Sequence, residues 1–457
     1  MPYPSIVQQV GVPHGTASRP THSLSLRAST SLRNTSNGLW DILNDLWHLE
    51  SNPHGYVTLG VADNALMQER LLHCMNSNFD LPGQHLLLND TITGSVRLKT
   101  AIARFLTRYL SPAKALKPSQ IVAANGVSSA TEHCSWALCD PGEGMLVGRP
   151  YYRGFNRDVC LQPGAKLVPV SFDEVDPVSV SAVSKYEKAI ISSREHGCTI
   201  RAIMLCNPHN PYFPLGSMQF WSFLVELMKL CQKHGVHLIS DEIYALSVWR
   251  YGQDGATRME GFTSVLSIDH EGLIDPKLVH VLWGVSKDFG ANGVRLGVII
   301  SQDNGDLLES TRGVGQFSSI SGFADYLTTT ILEDEEFVDR YIEENHEKLA
   351  AAYNYVVTYL DDHRIRYARG SNAGFFVWCD LLTAYLRIQA NGPPDDSDSA
   401  KWNRSRELAG KLAQHKVHLG VGDDFGSEQP GWFRITFSQH RAQLDEGLKR
   451  IVKALHS

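Results

Sequence analysis

The chain has 457 residues, 43% hydrophobic and 20% charged, enough to bury a large core divided between two or three domains. A net charge of −7 gives no basic footprint for a phosphate backbone, and no apolar run is long enough to cross a bilayer, so nucleic-acid and membrane partners are not expected. Eight scattered cysteines without a CxxC pair read as buried free thiols in a reducing compartment.

The first forty residues hold no Asp or Glu but carry Arg19, Arg27 and Arg33 among serines and threonines. Such a composition suits an organelle transit peptide or a disordered arm. Pro2, Pro4, Pro13 and Pro20 oppose the amphipathic helix that a transit peptide needs, so a disordered arm over 1–35 and a cytoplasmic protein are expected. Residues 36–88 are expected to begin a smaller domain that residues 333–457 complete, with the large domain spanning 89–332.

From Ile121 onward short apolar runs alternate with amphipathic ones. Ile121 to Ala124, Met145 to Gly148, Leu167 to Val170, Ala202 to Leu205, Val236 to Ser240, His280 to Trp283 and Gly297 to Ile300 read as seven strands, with helical stretches such as Phe220 to Lys233 between them. Strands apolar on both faces and separated by helices predict a mostly parallel seven-stranded sheet covered on two sides, an α/β fold. A helix-rich tract over 333–360 follows, then strands at Phe375 to Trp378 and Trp432 to Phe437. The second alternates apolar and polar residues, as a half-exposed strand does, and Asn391 to Ser399 is a breaker-rich loop.

Ligands of such sheets bind beyond the carboxyl ends of the strands, and the candidate chemistry falls there. Asn125 to Glu132 follows the first strand and opens a helix; Ser129 with Glu132 matches a capping box, and the small residues Val127 and Ser128 leave N–H groups able to meet an anion. A plain strand-to-helix turn explains the same residues. Pro150-Tyr151-Tyr152-Arg153 ends another strand, where an aromatic serves either the core or a planar ligand. Asn207-Pro208-His209-Asn210-Pro211 fixes an extended loop in which Asn210 can offer its amide, unless it is only a turn. Asp241 and Tyr244 close a strongly apolar strand; Asp241 either caps the next helix or meets a protonated ring nitrogen. Lys287 and Arg295, eight residues apart with glycines between them, can face one buried anion, which suits an aldehyde cofactor bearing a phosphate. Arg434 stands in an apolar strand, as a surface ion-pair partner or as a fork for a substrate carboxylate. The glycines at 290, 293 and 297 lack the GxGxxG spacing of a dinucleotide site.

Together these motifs resemble the class I/II aminotransferases of fold type I, which depend on pyridoxal 5'-phosphate, and within them the 1-aminocyclopropane-1-carboxylate (ACC) synthases and their fungal relatives of secondary metabolism. The resemblance runs from about Leu24 to the C-terminus. It implies a homodimer acting on an amino-acid-type small molecule. Lys287 would form the internal aldimine and shuttle the Cα proton, Asp241 would meet the pyridine nitrogen, Tyr244 and Asn210 the ring oxygen, and Tyr152 the ring face. Val127, Ser128 and Arg295 would hold the phosphate, Arg434 the substrate α-carboxylate, and the stretch around Ala62 and Asp63 would line the substrate's approach.

The chain also departs from the ACC synthases. Ala62-Asp63-Asn64 stands for Ala-Glu-Asn, Asp90 to Gly94 lacks a tyrosine that they place before the glycine, Gly284 replaces a serine, and Phe213-Pro214 extends a loop. These differences point away from ring closure on S-adenosylmethionine. The leading expectation is an aminotransferase-family enzyme acting on an amino acid or an amino-acid-derived metabolite, with transamination as its nominal class. Carbon–sulfur cleavage in a thiol-forming toxin pathway is the first alternative, ACC synthesis the second, and a catalytically silent protein on the same fold the third.

Overall fold

The computed structural model describes residues 24–25, 28–29, 31, 39–77, 79–87, 92–211, 218–249, 262–389 and 397–457. Residues 1–40 and 41–457 form separate units, and the account below concerns the second. The arm expected over 1–35, Asp90, Thr91, Phe213, Pro214 and most of the loop expected over 391–399 lie wholly or largely outside the described residues.

Strands are numbered along the chain. β1 is Val57–Thr58, β2 Ile121–Ala124, β3 Gly144–Gly148, β4 Lys166–Val170, β5 Ile200–Cys206, β6 His237–Asp241, β7 Val279–Gly284 and β8 Gly297–Ile300. β9 is Arg366–Tyr367, β10 Phe376–Asp380, β11 Val417–His418, β12 Gly420–Val421 and β13 Trp432–Thr436.

The central sheet has the order β2-β8-β7-β6-β5-β3-β4, and its seven strands are those expected from the sequence, each within about two residues. The apolar runs are buried on both faces because successive residues feed two different cores. Leu238, Val281 and Trp283 join one, with Phe223 and Leu227 from the helix Met218–His234. Ile239, Leu282 and Ile299 join the other, with Ala130 and Cys134 from the helix Val127–Leu138. Pairing is parallel except at β8, which runs antiparallel to both β2 and β7. That single reversal brings the start of β8 to the edge where β2, β5, β6 and β7 end, with Gly297 opposite both Ala124 and Gly284.

A second sheet, β12-β13-β10-β9, is antiparallel and packs with the long helix Glu335–Asp362. β1 pairs in parallel with β11, so the early chain is joined to residues near the C-terminus. The expectation that 432–437 forms a half-exposed strand is corrected here. Four of the five residues of β13 are buried, because its polar positions, Arg434 and Thr436, face the interior rather than solvent.

Candidate active site

Lys287 lies on the single helical turn Val285–Asp288 that follows β7. The turn is anchored by Asp288, a buried carboxylate that accepts from Ser247 Oγ at 2.8 Å, Trp283 Nε1 at 3.0 Å and the Leu246 N–H at 3.2 Å. Lys287 itself is left to reach inward, where its Nζ donates to the Ala62 carbonyl at 2.6 Å. Burial disfavours the ammonium and brings the amine down to about 8, against the opposite pull of Asp63. Labelling of Lys287 by an amine-selective reagent should therefore accelerate as pH rises through about 8, well below the range of a surface lysine, and peptide mapping against Lys287→Ala would isolate that site.

Gly284 immediately precedes this turn. A Cβ placed there would lie 2.6 Å from the Leu296 carbonyl oxygen and 3.0 Å from Val127 Cγ2. In this chain the position is closed by the approach of β8 and the helix Val127–Leu138, so a serine would not fit without displacing backbone.

Asp241 ends β6 and is buried. Its neighbour Glu242 is buried too, but the two differ in what they have left to offer. Glu242 is occupied by Ser264 Oγ at 2.6 Å, Ser240 Oγ at 3.0 Å and the Val265 N–H at 3.0 Å, which makes it a structural group. Among the described residues Asp241 accepts only a long 3.3 Å bond from the Ile243 N–H, and burial pushes its carboxyl up to about 7. A cation brought to this carboxylate would hold it ionised. Tyr244, on the turn after β6, is fixed edge-on against Phe375 and Phe376, with ring centroids at 5.3 and 5.5 Å.

Arg434 is only 3% exposed and has no carboxylate partner among the described residues. One terminal nitrogen donates to Asn210 Oδ1 at 2.7 Å, the other to the Gly60 carbonyl at 2.5 Å, and Nε has no partner. The guanidinium rests on the Phe376 and Phe425 rings, 4.3 and 4.8 Å from their centroids. Burial lowers its pKa to about 10. Because Asn210 spends its oxygen on Arg434, its amide nitrogen is the end available as a donor, as the sequence suggested.

The helix Val127–Leu138 begins at Gly126, whose φ of 82° lies in the left-handed region. A Cβ there would run into the Arg295 guanidinium, 2.9 Å from Cζ. Helix geometry leaves the first-turn N–H groups of Val127 and Ser128 without intrahelical acceptors beside that exposed guanidinium, an arrangement that suits a phosphate. Arg295 is held by the Asn292 carbonyl at 2.9 Å and the Asn125 carbonyl at 3.3 Å. The predicted capping box is absent. Ser129 lies inside the first turn and donates back to the Asn125 carbonyl at 3.1 Å, while Gly126 takes the capping position. Gly126→Ala should cost about 1–2 kcal/mol in backbone strain alone and displace Arg295, lowering both melting temperature and affinity for a phosphorylated ligand; calorimetry and a binding titration would check this.

Tyr152 is half-buried and sits edge-on to Phe155 at 5.4 Å. Ala62 contributes its carbonyl to Lys287, and Asp63 accepts from the Asn292 amide. Thus the expected residues from β2, β5, β6, β7 and β8 gather at one sheet edge, and hydrogen bonds tie Lys287 and Arg434 to the segment 60–64. Sequence reasoning missed the Phe376 and Phe425 rings and Asp158, a carboxylate buried on the helix Phe155–Cys160. Asp158 is disguised by its neighbour Arg157.

Comparison with known proteins shows what the chain as a whole is similar to. Residues 55–451 match the family described as aminotransferase class I and II. A 1-aminocyclopropane-1-carboxylate synthase-like protein 1 of Bos taurus is 31% identical over 420 residues, covering 90% of this chain and 78% of that protein. A probable aminotransferase, gliI, of Aspergillus fumigatus is 31% identical over 405 residues, 86% of this chain and 88% of that protein. A probable inactive 1-aminocyclopropane-1-carboxylate synthase-like protein 2 of Mus musculus is 30% identical over 418 residues, with 90% and 68% covered. Among solved structures, aspartate aminotransferase from Thermus thermophilus with maleate superimposes with a TM-score of 0.67 at 19% identity, over 94% of this chain and 99% of that one.

Proposed function

The chain belongs to the class I and II aminotransferase family, and on that premise we propose that it is a pyridoxal 5'-phosphate-dependent enzyme that transfers the amino group of an amino acid or amino-acid-derived metabolite. The observation that carries the reading is Arg434, a buried guanidinium with no carboxylate partner among the described residues, beside a lysine whose amine is brought down to about 8. A buried cation held this way favours an anionic ligand.

The residues fit the cofactor. Val127 and Ser128 N–H groups with Arg295 would hold its phosphate, at the end where Gly126 leaves no room for a Cβ beside the guanidinium. Asp241 would hold the ring nitrogen, Tyr244 and the Asn210 amide the ring oxygen, and Tyr152 the ring face. When bound, pyridoxal phosphate supplies an electron sink that makes the Cα–H bond of an amino acid labile. The protein's own part is to hold and move the proton. Lys287 Nζ takes it from Cα once it leaves the Ala62 carbonyl, and an amine with pKa near 8 is suited to do so near neutrality. Arg434 fixes the α-carboxylate, and Ala62 and Asp63 border the substrate's approach. We further assign residues 89–332 to a large cofactor-binding domain and 36–88 with 333–457 to a small one. We read the enzyme as a cytoplasmic homodimer; exposed Phe317, Leu86 and Leu87 supply apolar surface for such pairing.

Incubation with a panel of amino acids, with and without a keto acid, tests the function. Amine transfer that depends on the keto acid supports it. Thiol, ammonia and a keto acid released without an acceptor would replace it with carbon–sulfur cleavage, and methylthioadenosine from S-adenosylmethionine with ACC synthesis. No turnover of any member, with cofactor bound, would make this a silent relative.

A further inference from the structure

Asn64 and Asn345 meet in the interior, 1% and 0% exposed, and no step above uses either side chain. Asn64 Nδ2 donates to Asn345 Oδ1 at 2.9 Å. The direction of this bond is fixed locally. Asn64 Oδ1 accepts the Leu66 N–H at 3.2 Å, so its amide nitrogen is the end left to face Asn345, which must answer with its oxygen. Asn345 Nδ2 then has no partner among the described residues. Keeping such a donor buried costs stability, and a task for the other end of the amide accounts for it.

The task is visible in what surrounds the pair. Asn345 lies on the helix Glu335–Asp362, one turn after Tyr341 and next to His346. Tyr341 Oη donates to the Phe289 carbonyl at 2.7 Å, and His346 Nε2 to the Leu246 carbonyl at 2.7 Å. The same stretch of helix thus grips the end of the lysine turn and the loop whose Leu246 N–H anchors Asp288. Asn64 closes this junction from the other side: a Cβ on Gly290, whose φ is 63°, would lie 2.5 Å from the Asn64 carbonyl oxygen. Two residues earlier, the Ala62 carbonyl accepts from Lys287 Nζ at 2.6 Å.

We propose that Asn345 is a positioning residue for Lys287: by holding the Asn64 side chain it fixes the Ala62 carbonyl against the lysine turn, and so sets where the amine rests. The inference rests on the role proposed above for Lys287 and adds to it a residue from the long helix.

The test reads the pH midpoint of Lys287 labelling by an amine-selective reagent, in full-length protein freed of cofactor, for wild type, Asn345→Leu, Asn64→Ala and the double variant. Leucine keeps the volume of Asn345 and removes both the acceptor and the unpaired donor, so the fold should tolerate it. The charged groups that act on Nζ are Asp63, Arg434, Arg295 and Asp241, and none of them is substituted. Because burial is what holds the amine down, each single variant should raise the midpoint by about 0.5 in pH or more, and the double variant no further than Asn64→Ala alone. Val357→Ala truncates a buried side chain of the same helix about 18 Å further on, and should lower the melting temperature while leaving the midpoint in place. Additive shifts, a midpoint unmoved or lowered in Asn345→Leu, or an equal rise in Val357→Ala would overturn the proposed link. Wild-type protein that develops no visible absorbance with pyridoxal phosphate would overturn the cofactor reading, and the functional part of this inference with it, even where the midpoints move as expected.

Discussion

Lys287→Ala is expected to lose the visible absorbance of protein-linked pyridoxal phosphate and to reduce turnover on the order of 10⁴-fold or more, since one substitution removes both the covalent anchor and the proton-transfer base. Folding should survive it. The turn that carries the lysine is held by Asp288, Ser247 and Trp283, none of which touches Nζ, and removing the lysine leaves only the Ala62 carbonyl short of one donor. Cofactor would still be expected to bind through Arg295 and the helix end, but reversibly, and dialysis should remove it. An unchanged spectrum and undiminished turnover in this variant would refute the assignment of Lys287.

Arg434→Ala should weaken substrates that bear an α-carboxylate by about 2–5 kcal/mol, the cost of removing one partner from a desolvated charge pair. The loss should appear chiefly in KM, with kcat less affected. Lysine should rescue poorly, because the site asks for two directed donors: one terminal nitrogen is engaged by Asn210 and the other by the Gly60 carbonyl, and the planar guanidinium is seated on two phenyl rings. An amine lacking the carboxylate provides the control. If the variant weakens that amine and the matching amino acid equally, Arg434 does not read the carboxylate.

The seven strands of the central sheet were legible because a strand buried on both faces writes a continuous apolar run, and candidate residues at their ends stood out where a run gives way to a polar residue, as at Asn125 after β2 and Asn207 after β5. The failures have physical causes too. At β13 the alternation of Arg434 and Thr436 with apolar neighbours suggested one wet face, yet both polar residues turn inward; periodicity reports which residues share a face, not what covers it. At the phosphate end, Ser129 and Glu132 had the right spacing for a capping box, but Gly126 adopts a left-handed conformation that starts the helix earlier. Asp158 was overlooked because an acidic residue next to an arginine reads as solvated surface, whereas here the arginine reaches out and the carboxylate is left inside. Gly284 stood out as a glycine where the ACC synthases carry a serine; in the structure a Cβ there would lie 2.6 Å from the Leu296 carbonyl oxygen.

The segment 60–64 has one more implication. Lys287 and Arg434, from opposite parts of the chain, both satisfy themselves on its carbonyls, Ala62 for the first and Gly60 for the second. One short stretch of backbone therefore serves as common ground for a side chain that follows β7 and one that lies on β13. A substitution that shifts residues 60–62 without touching either side chain should disturb both positions together.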